Sequence, residues 1–251
     1  MRLGALLGPI SNAGNPSELA DQARHLEGAG YSSLWTAQAV GRGFMVTDPF
    51  VTLSVAASVT TTPQLGTAVL QLPLYRPLEL AHRVFSLQQI CGDRLLLGVG
   101  AGSSTEDFAA FGADYALRFK QFNERIEEFR SALDRGRLGD SDLSPWPAVL
   151  GGPPVLLGSW GNGVVKAAQT FSGWIASANY RRTEEIVSAH ERYRGAGGGR
   201  AIVSTIMLPP GLDLGALKAQ LDTFADSGFD DAVVMFLPGG PSPEQIRTLV
   251  D

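Results

Sequence analysis

The sequence predicts a single-domain (β/α)8 barrel, of the TIM type, over residues 1–251. Three observations predict it. Eight short apolar segments alternate with helical patterns along the whole chain. Within those segments the apolar residues fall mostly on consecutive positions, as in a parallel sheet covered on both faces. The length, 251 residues, suits one barrel, which typically takes ~250. A doubly wound sheet is the runner-up, but it holds fewer strands in this length and places its glycine loop first.

Residues 2–8 are the first strand, ended by Gly8-Pro9. A helix follows over 16–29, with Leu19, Ala20, Ala23 and Leu26 at helical spacing. Asn15 is its N-cap, Pro16 takes the first position, and Gly28 and Gly30 close it. Residues 33–37 are the second strand, and the loop 38–47 carries Gly41 and Gly43. Asp48 caps a helix that Pro49 opens and that runs to Thr60. The third strand is 64–70, a proline-bearing loop is 72–77, and the third helix is 78–91. Its inward positions are Leu80, Ala81, Val84 and Leu87. The fourth strand, 94–99, breaks into Gly98, Gly100 and Gly102, then Ser103 and Ser104. A connection over 106–112 leads to an amphipathic helix, 119–133, striped by Phe122, Ile126, Phe129 and Leu133. Residues 135–154, rich in Gly, Pro, Asp and Ser, read as an irregular excursion. Alternation then resumes: strands 155–158, 174–177, 201–208 and 232–237, with helices 161–171, 183–194, 214–227 and 242–250.

Composition narrows the function. Twenty basic against 25 acidic residues give a net charge of −5. No basic cluster is long enough to follow a nucleic-acid backbone, and Arg181-Arg182 reads as a solvated helix start. Neither nucleic acid nor an anionic membrane is an expected partner. The single cysteine, Cys91, excludes an internal disulfide and reads as a core residue. The opening MRLGALLGPISNAG lacks the apolar length of a signal peptide, and no run reaches the ~18 apolar residues of a membrane span. A cytoplasmic protein is expected.

In a barrel, chemistry sits at the C-terminal ends of the strands. Here those ends are residues 8–11, 38–42, 70–76, 100–104, 158–162, 179–180, 209–211 and 238–240. They carry few acids or bases. His25, His82 and His190 fall in the helices of the outer ring and read as surface or packing residues. No metal site is expected, because no His pair or carboxylate cluster lies at a strand end. GVGAGS at 98–103 is not a dinucleotide fingerprint, since Ser103 stands at the third glycine position. GSWGN at 158–162 runs from a strand end into a helix start, where free N–H groups and the helix dipole suit a phosphate. A glycine turn capped by Ser159 fits the same letters. Tyr75 and Arg76 offer a wall for a planar ligand. Phosphate donors without acid–base groups suit a redox cofactor that carries its own reactive atoms.

Four stretches resemble the luciferase-like monooxygenases, flavin- and F420-dependent (β/α)8 oxidoreductases. They are AGYSSLWTAQAVGRG at 29–43, the block from LGTAVLQLPLYRP to GDRLLLGVGAGS at 65–103, RFKQFNERIEEFRSAL at 118–133, and PPVLLGSWGNGVVKAAQTFSGWIAS at 153–177. The second, with its RP-x-x-x-A and GDR-apolar-GVGxG order, is the most specific. The resemblance implies a cofactor ring lying at the mouth. Ala68 and Val69 match a bulge whose non-prolyl cis peptide backs the ring. Gly100, Ala101, Gly102 and Ser103 match a loop near the cofactor tail. Gly158, Ser159, Trp160 and Gly161 match the phosphate turn, and Gln38 lies at the ring. A homodimer is implied, through helices 48–60 and 78–91.

Two departures stand out. Gln38 and Ala39 replace a common acidic–His pair, and Ser103 stands where many F420 dehydrogenases have Glu. AVGR at 39–42 is similar to an F420-using subset. The loop 136–154 is short for the family. The resemblance therefore implies a hydride transfer between F420 and a small organic substrate, with Gln38, Tyr75 and Ser103 as candidate proton donors. FMN-dependent monooxygenation is the alternative. A flavin-binding homologue without catalysis, or an unrelated barrel enzyme acting on a phosphorylated metabolite, also fits the residues.

Overall fold

A computed structural model describes residues 1–8 and 15–250. Among these residues the parallel strands are β1 (Arg2–Leu6), β2 (Ser33–Thr36), β3 (Gln64–Thr67, resuming at Leu70–Gln71), β4 (Leu95–Gly100), β5 (Val155–Gly158), β6 (Gly173–Ser177), β7 (Arg200–Leu208) and β8 (Asp231–Phe236). Each pairs in parallel with the next, β8 pairs with β1, and the ring is closed. This is the (β/α)8 barrel the alternation predicts. The surrounding helices are α1 (Glu18–Gly28), α2 (Pro49–Val59), α3 (Pro77–Cys91), α4 (Arg118–Arg135), α5 (Gly163–Thr170), α6 (Thr183–Gly195), α7 (Leu214–Asp226) and α8 (Pro243–Arg247).

The departures from the sequence reading are local. The first helix starts at Glu18 rather than at Pro16, because Asn15 is used in a turn. Its Oδ1 accepts from the Ser17 N–H (3.0 Å) and hydroxyl (2.9 Å), and Ser17 becomes the N-cap. The fifth barrel helix begins at Gly163, since Gly161 takes a left-handed φ of 59°. The last helix stops at Arg247, where bonds tighten to Leu249 N–H on Ile246 and Val250 N–H on Arg247. The connection after β4 contains a short helix, Thr105–Ala110. The excursion at 135–154 holds a hairpin, Arg137–Leu138 with Ser141–Asp142. Residues Leu72–Leu74 make a 3₁₀ turn. Strand β3 is interrupted at Ala68-Val69, whose peptide bond is cis, as the family resemblance implies. Residues 9–11 of the first strand end lie outside the described residues.

Two apolar cores result from the alternation of side chains along the strands. The outer one lies between barrel and helices. Cys91 belongs to it, and burial pushes its thiol up to about 11. The inner core is small: Leu6, Trp35, Leu96, Leu156, Ile175, Ile202 and Val233. The Trp35 indole dominates it, and its Nε1 donates to Ser33 Oγ (2.8 Å). Gly66 is glycine because a Cβ there would land on the Trp35 ring.

The N-terminal end of the barrel is plugged by charge. Asp231, fully buried, accepts from Arg2 (2.9 and 3.0 Å) and from Arg200 (2.8 and 3.0 Å). Arg200 also donates to Gln64 Oε1 (2.7 Å). On the helix layer, α2 and α3 each leave an apolar side chain more than half exposed, Val51 and Ile90.

His190 in α6 is a packing histidine. It stacks on Phe229 (4.2 Å between ring centroids) and accepts from Arg194 Nε (3.0 Å). Burial, and then the Arg194 charge, push its pKa down to about 4. The unfolded chain therefore binds more protons between pH 6.5 and 4. Stability from neutral His190 is complete above pH 6.5 and is lost as pH falls toward 4, by about 3 kcal/mol. Urea unfolding at pH 7 and pH 4.5 should show this loss in the wild type and a smaller one in His190→Phe. Equal losses would remove His190 as the cause.

Candidate active site at the barrel mouth

The C-terminal strand ends meet above the inner core. Ala37, Ala68, Val69 and Met235 pack on that core and form the floor. Gly100 and Gly158 are glycine because of Val69: a Cβ at either would lie 2.9 or 2.7 Å from a Val69 methyl. Their role is thus to seat Val69 beside the cis peptide.

Above the floor, β2, β3 and the short helix after β4 build a buried polar cluster. Asp107 is fully buried. Its Oδ1 accepts from Val40 N–H (3.0 Å) and Arg42 Nε (2.8 Å), and its Oδ2 from Arg42 (2.5 Å) and the Gln71 amide. Burial opposes ionisation, but the Arg42, Val40 and Gln71 hydrogen bonds and the Arg42 charge hold the carboxyl below the usual carboxylate range. Arg42 is correspondingly held above its usual value, and it also bonds to Tyr180, linking the β2 and β6 loops.

The cluster fixes the two glutamines. A backbone N–H can only donate, so Gln38 meets the Gln71 N–H with Oε1 (2.8 Å). Gln38 Nε2 is left as a donor. Gln71 gives its NH2 to Asp107, so its Oε1 remains, buried and without a protein partner. Gly102, at φ 86°, leaves the space: a Cβ there would stand 2.5 Å from that oxygen. Ser103 is exposed, and its carbonyl accepts from Tyr115 (3.3 Å). Ala101 packs toward the outer core. Beside them, Ser104 bonds to Glu106 (2.6 Å), which lowers the Glu106 pKa.

The turn after β5 runs straight into α5. Gly163 N–H bonds to the Trp160 carbonyl (3.1 Å) and Val164 N–H to Gly161 (3.3 Å), which leaves the amides before them as helix N-terminal donors. Ser159 does not cap the helix; the N-cap is Asn162. The Ser159 hydroxyl is buried with no partner, while its carbonyl accepts from Trp174 Nε1 (3.1 Å). The Trp160 ring turns outward, with Arg181 4.9 Å above it. It lines a cavity of about 400 Å³ with Glu184, Glu185, Ser188 and Arg192. Arg181 is exposed, as expected of a solvated helix start, and its guanidinium stacks on the Trp160 ring. A second cavity, about 240 Å³, includes Arg130, Asp134, Val155 and Ser172. It lies at the opposite end of the barrel, below the start of β5, away from the mouth.

Tyr75 is a correction. Its ring sits in the outer layer against Phe50 (6.4 Å), and burial, then the Asp48 charge, raise its pKa. It faces α2 and α3 and is no proton donor for the mouth. The sequence reading missed Asp107 as a partner. Its signal lies only in contacts 65 and 36 residues away, to Arg42 and Gln71.

The closed parallel barrel brings the glycine turn after β5 and the neutral amides of Gln38 and Gln71 to the strand ends, where (β/α)8 barrels place their sites. Residues 3–208 match the luciferase-like monooxygenase family, and the chain belongs to that family. It is similar to 4-hydroxyprotoasukamycin monooxygenase of Streptomyces nodosus subsp. asukaensis, 34% identical over 136 residues. That match takes in 52% of this chain and only 37% of the relative, so this chain spans about a third of it. A Mycobacterium tuberculosis protein of uncharacterised activity is 25% identical over 91% of this chain and 89% of its own length. Among solved structures, an F420-dependent secondary alcohol dehydrogenase superposes with a TM-score of 0.80 at 13% identity, covering 99% of this chain and 97% of that one. The monooxygenase RslO1 from Streptomyces bottropensis gives 0.77 at 17%, covering 100% and 97%. These structures share the fold. Among the described residues no helix is long and apolar enough to cross a membrane, and no group of His, Cys, Asp and Glu could hold a metal.

Proposed function

We propose that this protein is an F420-dependent oxidoreductase acting on a small organic substrate. The carrying observation is the pair of buried side-chain oxygens without protein partners at two strand ends, Ser159 Oγ after β5 and Gln71 Oε1 beside Gly102. Buried polar groups without partners mark places where a ligand supplies them. The residues present fit the cofactor. Ser159 and the amides of Trp160, Gly161 and Asn162 would take a phosphate. Arg181, and Arg42 on its Asp107 anchor, would face further carboxylates of an anionic tail. When bound, the deazaflavin accepts or donates a hydride at its own ring carbon. The chain's part is to orient and to exclude water. Gln38 Nε2 offers a neutral donor, and Asp107 keeps both glutamines in one orientation. The hydride moves together with a proton on the substrate oxygen, and that proton would be exchanged with water or a neighbouring polar side chain such as Gln38.

The second reading is FMN-dependent monooxygenation, favoured by the 34% identity to a Streptomyces monooxygenase. Titration with F420 and with oxidised and reduced FMN, followed by fluorescence, separates the two. F420 binding without FMN binding is expected, the reverse establishes the second reading, and binding of neither at high micromolar concentration overturns both. Gly161→Asp tests the anchor. Its Cβ position is open and aspartate tolerates a left-handed φ, so the fold should survive. The added charge beside the amides should weaken cofactor binding at least about tenfold. Unchanged affinity would move the phosphate site elsewhere.

A further inference from the structure

Strand β7 has a defect where the mouth begins. Val203 pairs with Ala232 and Ile206 with Val234, so Ser204 and Thr205 together oppose the single residue Val233. This is a β-bulge. Thr205 sits at φ 59°. A β-branched residue in the left-handed region is a genuine outlier, and such residues gather at functional sites because the strain is kept for a purpose.

The bulge also sets where the side chain goes. Val203 and Ile206 face the outer core, and Val233 faces the inner one. Both extra residues therefore fall on the inner wall, and Ser204 Oγ and Thr205 Oγ1 lie 3.4 Å apart. Ser204 is buried and donates to the Ala176 carbonyl (3.2 Å). Thr205 is only half-buried, so its hydroxyl is the one presented to the mouth. In the closed ring β7 lies four strands from β3, so Thr205 stands across from Gln71 and the floor. Around it the wall is apolar and adaptable. Met207 is on the same face, 45% exposed, and pairs with Met235 of the floor.

We propose that Thr205 is a specificity-determining residue whose hydroxyl, turned into the mouth by the β7 bulge, holds the one polar oxygen of an otherwise apolar small substrate. The proposal rests on the mouth being the active site, and it does not depend on which cofactor binds there.

Two arms test it on the purified protein with whatever cofactor it retains. Thr205→Gly relieves the backbone and should raise Tm by about 2–4 °C, while Thr205→Val, equally β-branched, should stay near the wild type. A Tm in Thr205→Gly at or below the wild type overturns the strained bulge. Benzyl alcohol and toluene are the ligand probes, read by saturation-transfer NMR. Thr205→Val should bind benzyl alcohol about three- to tenfold more weakly with toluene unchanged, and Thr205→Ser should retain the wild-type preference. An unaltered benzyl alcohol to toluene ratio in Thr205→Val, or no binding of either by the wild type, overturns the proposal. If the hydroxyl preference follows Thr205 while neither F420 nor FMN binds, the cofactor reading fails and this one stands.

Discussion

Replacing Asp231 with alanine should destabilise the protein by about 3–5 kcal/mol, lowering Tm by roughly 10 °C, and leave cofactor affinity unchanged. Asp231 is the common acceptor for Arg2 and Arg200 at the closed end of the barrel. Its side chain is 1% exposed and that of Arg200 18%, whereas Arg2 is 49% exposed. Removing the carboxylate leaves the Arg200 charge desolvated and unpaired, which is the expensive way to break an ion pair. Arg2→Ala should cost only about 1 kcal/mol, because Arg2 is half-exposed and the buried Asp231 keeps Arg200 as its partner. An Arg200→Met/Asp231→Leu double variant should recover most of the loss, since apolar replacement of both partners removes the unpaired charge. Thermal unfolding checks all three. A fall of under 2 °C in Asp231→Ala would mean that the plug contributes little.

Asp107→Ala should have the second-largest effect, and it should act on function as well as stability. The carboxylate gathers Val40 N–H, both arms of Arg42 and the Gln71 amide in a site with no exposure. Its loss strands three buried or half-buried donors, at a cost of about 3 kcal/mol. It also frees Gln71, and through the Gln71 N–H it loosens Gln38. Cofactor affinity should fall about tenfold or more even where the variant is fully folded. The sign of the pH dependence follows from the lowered carboxyl. Asp107 contributes stability above its ordinary value of 3.8 and loses it as pH falls through the lower folded value. The gap between wild type and Asp107→Ala should therefore be full at pH 7 and narrow only in strong acid. Fluorescence titration and urea unfolding check both effects. Wild-type affinity in a folded Asp107→Ala would remove the cluster from the binding site.

Much of the fold was legible because barrel strands are written locally. Residues 155–158 were found to the residue, since VLLG between a proline turn and a glycine turn has one short apolar reading. Asp48 was legible as a cap for the same reason: the bonds it accepts, from Phe50 and Val51 N–H, are two and three residues away. The cis peptide at Ala68-Val69 was placed through family resemblance, and the structure supplies its physical setting in the glycines that seat Val69.

What the chain by itself determined is periodicity: which residues face a core, where strands break, and which loops carry glycine. Those properties depend on neighbours within one turn or one pleat. Closure of the ring decided the rest. It brought Asp107 to Arg42 and Gln71, moved Tyr75 into the helix layer, and made Asp231 the counter-ion of Arg2 across 229 residues. It also turned Thr205 inward, because the bulge exists only in the mismatch between β7 and β8. A side chain's period can be read along a strand, but its partner is set by which strand lies alongside.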